Sequence, residues 1–448
     1  MSVIPNWNDA AQEVVRHLQD LLRLDTTNPP GNEIIAAEHI ARVLRAEGIE
    51  PIVLEPAPGR GNVIARLKGT GEKPPLLLYG HTDVVPAEPE HWTHPPLSGD
   101  IADGFVWGRG ALDMKGTVAQ QLTVFLMLKR HGIPLKRDVI FAATADEEIG
   151  GEGSFGMWWL VKHHPDLLRA EFGITEVGGY NTDFGGKTVF SIQVAEKGTC
   201  WIKVRAKGRP GHASMPHDDN AVVHLARGVD RLATHGLPYH LCAAAAGFLE
   251  AASTGIGGPF GEALSRLRTP EGAKQVFDSV LKDHELRPSF IAMLHNTATP
   301  TGLSAGYQTN VIPSAAEATI DGRTLPGFNT ESFLAEVKAA CGAGFEYEVT
   351  MESAPLQTRH DTPLFKLMAE RLQQHEPGAV VAPHMMSGAT DAKYLAPLGV
   401  PSYGFAPLKL PTGFKYSELF HAHDERAPVD GLGWGVRVLY EVVSEYCG

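Results

Sequence analysis

Carboxylates and imidazoles gather at the ends of short apolar runs in this sequence, and the chemistry they could share is binding divalent ions and activating water. The segment LLLYGHTDVVP sets His81 and Asp83 just past one such run. Two residues apart in extended chain, they point to one side, so the imidazole can meet a metal while the carboxylate stands behind it. A carboxylate placed there fixes the tautomer of the ring and raises its basicity. A second run, in DVIFAATADEEIGGEGS, ends directly in Asp146, Glu147 and Glu148. Neighbouring side chains of an extended segment diverge, so one acid can hold a metal while the other faces an activated water as general base. Three acids in a row also repel one another, and a nearby cation relieves that cost. Glu176 ends a third run, EFGITEVGG, while Asp113 lies in the glycine-punctuated loop WGRGALDMKG before a helix. A late segment, LFHAHDERAP, adds His421, His423, Asp424 and Glu425.

Taken singly, these residues have ordinary explanations. Asp113 reads as a helix cap, His81 and Asp83 as a loop end, and the acid triplet as a polar turn. Their convergence carries more weight, because the carboxyl ends of strands in an open α/β sheet border one crevice. One His, a carboxylate able to bridge, an acid pair, a further Glu and a late His form a donor set for two metal ions.

The elements that must position these residues follow from periodicity. Val14, Val15, Leu18, Leu21 and Leu22 recur at helical spacing, with Asn8 or Asp9 placed to cap, and a second helix is expected over 33–47, stopped by Gly48. Apolar runs at 52–54, 63–67, 76–79, 139–143 and 172–174 are too short for helices and read as buried strands. Helical stretches at 116–129 and 154–163 alternate with them, as in an α/β sheet with helices on both faces. From about residue 200 the pattern changes: Cys200, Ile202, Val204 and Ala206 alternate with Trp201, Lys203, Arg205 and Lys207, a half-exposed strand. A helix after Asn220, strands at 289–294 and 316–323, a helix after Thr330 and an alternating strand through Phe345, Tyr347, Val349 and Met351 make a β-α-β-β-α-β, ferredoxin-like layer. Residues 237–287, Gly-rich and partly helical, fit neither pattern and read as an insertion. A helix at 363–374, an apolar segment at 400–405 and a last helix at 432–446 return to the first pattern. The expected organisation is a discontinuous α/β domain of 1–198 and 356–448 holding the metal-binding residues, with 199–355 inserted as a second domain.

Composition narrows the partners. At 448 residues two domains are expected, and a net charge of -13 works against binding a phosphate backbone, so nucleic acid is excluded. No stretch is apolar for the length of a membrane span, and no basic start precedes an apolar run, which points to a cytoplasmic chain without a membrane partner. Cys200, Cys242, Cys341 and Cys447 lack the paired spacing of a disulfide framework or a thiolate zinc site. Gly151, Gly153 and Gly156 spell GxGxxG after a strand, so a dinucleotide-binding oxidoreductase is a rival reading. Three acids crowd that turn where a pyrophosphate would sit, which counts against it.

The motifs YGHTDVVP, GRGALDMKG, TADEEIGG, TEVGG, GRPGHASMP, NVIPSAAEATIDGRTLPG, SGATD and HAHDER occur in this order over nearly the whole chain. In that series the chain resembles the zinc-dependent exopeptidases and deacylases that include aminoacylases, glutamate carboxypeptidase, carnosinase-like dipeptidases and succinyl-diaminopimelate desuccinylase. The resemblance implies a three-layer α/β/α catalytic domain with an inserted ferredoxin-like domain that is both lid and dimerisation surface, and so a homodimer. It implies metal-dependent hydrolysis of an amide or peptide bond in a dipeptide, a C-terminal amino acid or an N-acyl amino acid. An N-acyl or N-carbamoyl amidohydrolase rather than a peptidase is the alternative, and a non-catalytic binding protein on the same scaffold a remote one. Two divalent ions are implied, zinc first, with cobalt or manganese also suited to these ligands. By the same resemblance His81 and Glu176 hold different ions, Asp113 bridges them, and Glu148 and His421 complete the sites. His421 is matched in preference to His423 because it stands four residues before Glu425. Glu147 is implied as general base, with Asp83 behind His81, and the Asp113–Met114 peptide as cis. His212, in the inserted domain, is implied to polarise the scissile carbonyl, Asn310 and Arg323 to grip the substrate, and Gly388 to line its pocket.

Overall fold

The computed structural model describes residues 5–448. The chain divides into two compact units: one formed up to Val194 with Thr358–His384 and Thr390–Gly448, the other by Ala195–Gln357 with Met385–Ala389.

The first unit opens with helices Trp7–Leu22 and Ile34–Ala46. Val14, Val15, Leu18, Leu21 and Leu22 are all buried, as their spacing predicts. The cap is Asn6, whose side chain accepts from the Asn8 amide, and not Asn8 or Asp9; Asp9 stands instead in the first turn, where its charge meets the positive end of the helix. Gly48, with φ +68°, takes the left-handed conformation that ends the second helix.

Four parallel strands form the middle of the sheet, in the order Val139–Thr144, Leu76–His81, Phe172–Thr175 and Ser402–Gly404. Antiparallel strands Asn62–Leu67 and Ile52–Leu54 extend one side and Lys187–Glu196 the other. Leu76–His81 and Val139–Thr144 are buried throughout, the continuous apolar run of strands covered on both faces. On one face Leu77, Tyr79, Ile140 and Ala142 pack with Met157, Leu160, Leu395 and Val400. On the other, Phe141 meets Phe125 of helix Lys115–Arg130, ring centroids 5.7 Å apart. That helix is buried over its first fourteen residues, so it shows no clean amphipathic stripe. The parallel strands end together at His81, Thr144 and Thr175, which delivers His81, the acids 146–148 and Glu176 to one edge.

In the second unit, Thr297–Ala305, Ala315–Thr324, Gly198–Lys207 and Phe345–Ser353 form an antiparallel sheet in that order. Cys200, Ile202, Val204 and Ala206 face a core with Leu225 and Leu232 of helix Ala221–His235 and Phe333 and Val337 of helix Thr330–Cys341. The expected strand at 289–294 is instead part of helix Arg287–Leu294. Phe290, Met293 and Leu294 are its buried residues, at helical spacing, and a five-residue apolar run does not distinguish the two conformations. The strand starts at Thr297, and its Pro300 is accommodated because it lies at the sheet edge. The stretch read as an insertion is helical: Ala243–Ile256, Gly258–Arg266 and Pro270–Asp278. Among the described residues no helix is long and apolar enough to cross a membrane.

Candidate metal centre

His81 is buried at the end of its strand, with Nδ1 3.0 Å from the Asp83 carbonyl oxygen and 3.4 Å from its carboxylate. Its Nε2 faces the opposite way, 3.2 Å from Asp113 Oδ1, 3.9 Å from Glu176 Oε2 and 4.0 Å from Glu147 Oε2. Asp113 turns its second oxygen to another imidazole: Oδ2 lies 3.3 Å from His421 Nε2. The same His421 nitrogen is 3.0 Å from Glu148 Oε2. His423 does not join them; it hydrogen-bonds Glu88 at 2.9 Å on the surface. One carboxylate thus stands between two imidazoles, one oxygen to each. The distances place Glu176 beside His81 and Glu148 beside His421.

Among the described residues, two sets of side chains have ligand atoms close enough to hold a metal: His81, Glu147 and Glu176, and His81, Asp113 and Glu148. The donors are imidazole nitrogen and carboxylate oxygen, which suit divalent zinc, cobalt or manganese. Glu148 Oε1 supplies a further test of fit: it is buried and has no hydrogen-bond partner, a costly state that a cation beside it removes.

Local backbone explains how the acids reach these places. Asp146 has φ +61°, so the chain turns sharply as it leaves the strand. The Asp83 carboxylate then accepts the amides of Glu147 and Glu148, both at 3.1 Å, and fixes the base candidate and its neighbour together. Past Glu176, Val177 has φ +60°, a conformation a β-branched residue avoids. Gly404 lets the chain pass there, since an added Cβ would lie 2.0 Å from the Val177 carbonyl oxygen. His421 is also left-handed, with φ +57°. Such strain persists where surrounding structure holds it, and it gathers here at the carboxylates. The Asp113–Met114 peptide is cis.

The electrostatics are those of crowded, buried acids. Burial, then the charge of Asp113, lifts Glu176 well above the usual carboxylate range, and burial lifts Glu148. Glu147 is pushed up to about 8, mainly by burial, with His81 opposing and Asp391 adding to the rise. Burial also works on Asp113, but hydrogen bonds with His421 and His81 outweigh it and hold its carboxyl low. His81 is raised by Asp113, Asp83 and Glu176 against the effect of burial, and contacts with Asp113 and Glu148 lift His421 to about 10. A divalent cation would offset the repulsion that these shifts express.

Further residues support the centre, and of these Asn28, Arg60 and Asp391 were not singled out from sequence. Asn28 donates to Asp83 at 2.8 Å and to Asp146 at 2.9 Å, and Arg60 pairs with Asp146 at 2.8 Å and Glu33 at 2.7 Å. Asp391, in the SGATD motif, is buried against Thr144 Oγ1 at 3.4 Å. Glu425, four residues beyond His421, is fully buried and accepts from the Asp113 amide at 3.0 Å. The glycines of GxGxxG shape the turn after the acids: Gly151 and Gly153 have positive φ, and a Cβ on Gly156 would strike the Ala145 carbonyl oxygen at 1.7 Å.

The remaining predicted residues lie in the second unit. His212 ends strand Gly211–His212, which pairs with Val311–Ile312, and Asn310 is the turn residue just before that second strand; the Ala213 amide donates to the Asn310 carbonyl at 3.0 Å and His212 Nδ1 contacts Ser214 Oγ at 2.8 Å. The Arg323 guanidinium donates to the Asp321 carboxylate at 2.7 and 3.1 Å. Gly388 follows strand Val380–Met386, and a side chain there would meet only the flexible end of Met386.

The chain is similar over its length to known proteins. Aminoacylase-1 of Sus scrofa is 28% identical over 435 residues, covering 94% of this chain and 92% of that protein. A probable carboxypeptidase S-like 2 of Dictyostelium discoideum is 29% identical over 86% of this chain and 74% of its own. Among solved structures, the M20 family metallo-carboxypeptidase Sso-CP2 from Sulfolobus solfataricus superposes with a TM-score of 0.68 at 20% identity, covering 97% of this chain and 99% of that one. The family described as Peptidase family M20/M25/M40 matches residues 77–445, well over half of the chain. The protein therefore belongs to the M20/M25/M40 peptidase family and is a metal-dependent hydrolase, not a dinucleotide-dependent oxidoreductase.

Proposed function

We propose that this chain hydrolyses the amide bond of a small substrate, a dipeptide, a C-terminal amino acid or an N-acyl amino acid, with Glu147 as general base. The observation that carries the reading is Asp113 standing between His81 and His421 with Glu147 beside the same imidazole. In this proposal His81 and Glu176 hold one divalent ion, Glu148 and His421 the other, and Asp113 is shared. Bound there, the ions supply Lewis acidity and lower the pKa of water toward neutrality. Glu147 takes a proton from the attacking water as its oxygen adds to the amide carbonyl carbon. The same carboxyl returns that proton to the nitrogen as the carbon–nitrogen bond breaks. Asp83 holds His81 and the Glu147 amide in place through these steps. His212 is assigned as donor to the carbonyl oxygen, where charge grows in the transition state. Asn310, Arg323 and Gly388 are assigned as substrate contacts.

The names of the relatives, an aminoacylase and a carboxypeptidase, support a substrate with a free amino-acid carboxylate next to the scissile amide. Zinc is the proposed native metal and a homodimer through the second unit the proposed assembly; mass measurement in solution tests the latter. Four unpaired cysteines, three of them buried, fit the reducing cytoplasm we propose as its location. The decisive experiment strips metal with a chelator, assays dipeptides against N-acetyl, N-succinyl and N-carbamoyl amino acids, then restores zinc, cobalt or manganese. Activity should vanish and return on at least one of these substrates; activity indifferent to metal removal would overturn the reading.

A further inference from the structure

Glu425 is fully buried, four residues after a half-exposed imidazole that meets two carboxylates. Its carboxylate accepts from four donors, all on the segment that ends in Asp113. Arg109 Nη1 and the Gly110 amide meet Oε2 at 2.8 and 2.9 Å, and the Leu112 and Asp113 amides meet Oε1 at 2.7 and 3.0 Å. Its backbone carbonyl accepts the Gly108 amide at 3.0 Å. Charge-assisted bonds of this kind are the strong ones, and three backbone amides on one carboxylate define where the loop runs.

The same short segment reaches the site a second time. His421 extends to Asp113 Oδ2 and Glu148 Oε2, while Glu425 grips the backbone of that Asp113. Between them, Asp424 is tied to the Thr93 amide and hydroxyl at 2.7 and 2.8 Å. The His421 side chain is 54% exposed, so little packing of its own holds it, and the anchored segment must supply the order. His81, by contrast, is fixed by a buried strand and by Asp83.

We propose that Glu425 is a positioning residue that sets the spacing of Asp113 and His421, and thereby the affinity of the ion held by Asp113, Glu148 and His421 more than that of the ion at His81 and Glu176, which shares Asp113 but has two ligands Glu425 does not touch. The proposal rests on the metallohydrolase reading above. Glu425→Gln keeps the shape and one carbonyl oxygen, but its amide group must present a donor either to Arg109 and Gly110 or to Leu112 and Asp113.

The experiment is zinc binding to the full-length chain by equilibrium dialysis with elemental analysis, without substrate. Wild type should bind two ions. Glu425→Gln should bind the first with a much smaller loss and the second about 10–100-fold more weakly, the range typical of groups that orient metal ligands. The zinc concentration that half-restores activity should rise by the same factor. Arg109→Lys, which keeps the charge but not the fork, is the second variant should Glu425→Gln fail to fold, and it should weaken the same ion most. Two ions at wild-type affinity in a folded variant, or equal weakening of both, would overturn the proposal. A wild-type chain that binds no divalent ion would instead overturn the reading on which it rests.

Discussion

Glu147 is the acid whose position most directly constrains the chemistry. Its side chain is 12% exposed and lies 4.0 Å from His81 Nε2, and its backbone is held by Asp83. Replacing it with Gln preserves size and that amide bond and leaves His81, Asp113, Glu148, Glu176 and His421 in place. Glu147→Gln should therefore retain both metal ions by elemental analysis and lose about 10²–10⁴-fold in kcat, the range general-base groups contribute. Full turnover in a metal-replete variant would remove the role. His81, Asp113, Glu147, Glu148 and Glu176 were legible because each stands where an apolar strand stops or in a glycine-punctuated loop, whereas His421 was matched only through the family resemblance. Their pairing was not, because spacing along the chain says nothing about which oxygen faces which ring across the sheet edge. Asn28 likewise gave no sign from its place in the sequence of bridging Asp83 and Asp146.

At the scale of elements, helix Lys115–Arg130 is joined to the first two helices through its last residue. Arg130 donates to both oxygens of Glu13 at 2.8 Å and reaches Glu47 at 2.6 Å. Burial acts to raise the Glu13 carboxyl, but hydrogen bonds from His17 and Arg130 hold it down at about 2, below the ordinary 4.5. A lowered carboxyl stabilises the fold above its unfolded value, and the benefit is lost as pH falls from about 4.5 through 2. Allowing for solvent screening of a part-exposed group, the contribution is about 1–2 kcal/mol at pH 7. Urea unfolding of Glu13→Gln should show that deficit at neutral pH, narrowing steadily below pH about 4.5; a deficit constant with pH would contradict it. Strands and helices with a clear period were readable in advance, including Gly198–Lys207, whose alternate residues face the core. Residues 289–294 were not, since Phe290, Ile291, Ala292, Met293 and Leu294 form an apolar block without polar punctuation. There tertiary burial of Phe290, Met293 and Leu294 decides for helix.

For the molecule as a whole, the centre gathers the proposed metal ligands from segments far apart in sequence: 81, 113, 148, 176 and 421. In the unfolded chain these groups are scattered and bind no ion strongly, so metal binds the native state and stabilises it by mass action, about 2.7 kcal/mol at a free concentration one hundred times Kd. Chelation should lower the melting temperature, and the loss should be local, because the donors all belong to the first unit while the second has a separate core around Val204, Phe333 and Val337. Hydrogen exchange after chelation should accelerate in the turns that follow strands Leu76–His81, Val139–Thr144 and Phe172–Thr175, and around His421. Strands Gly198–Lys207 and Phe345–Ser353 should keep their protection. Equal acceleration in both units would mean that the ions stabilise the chain through something other than the carboxylates at the sheet edge, and unchanged exchange everywhere would mean that those carboxylates hold no ion.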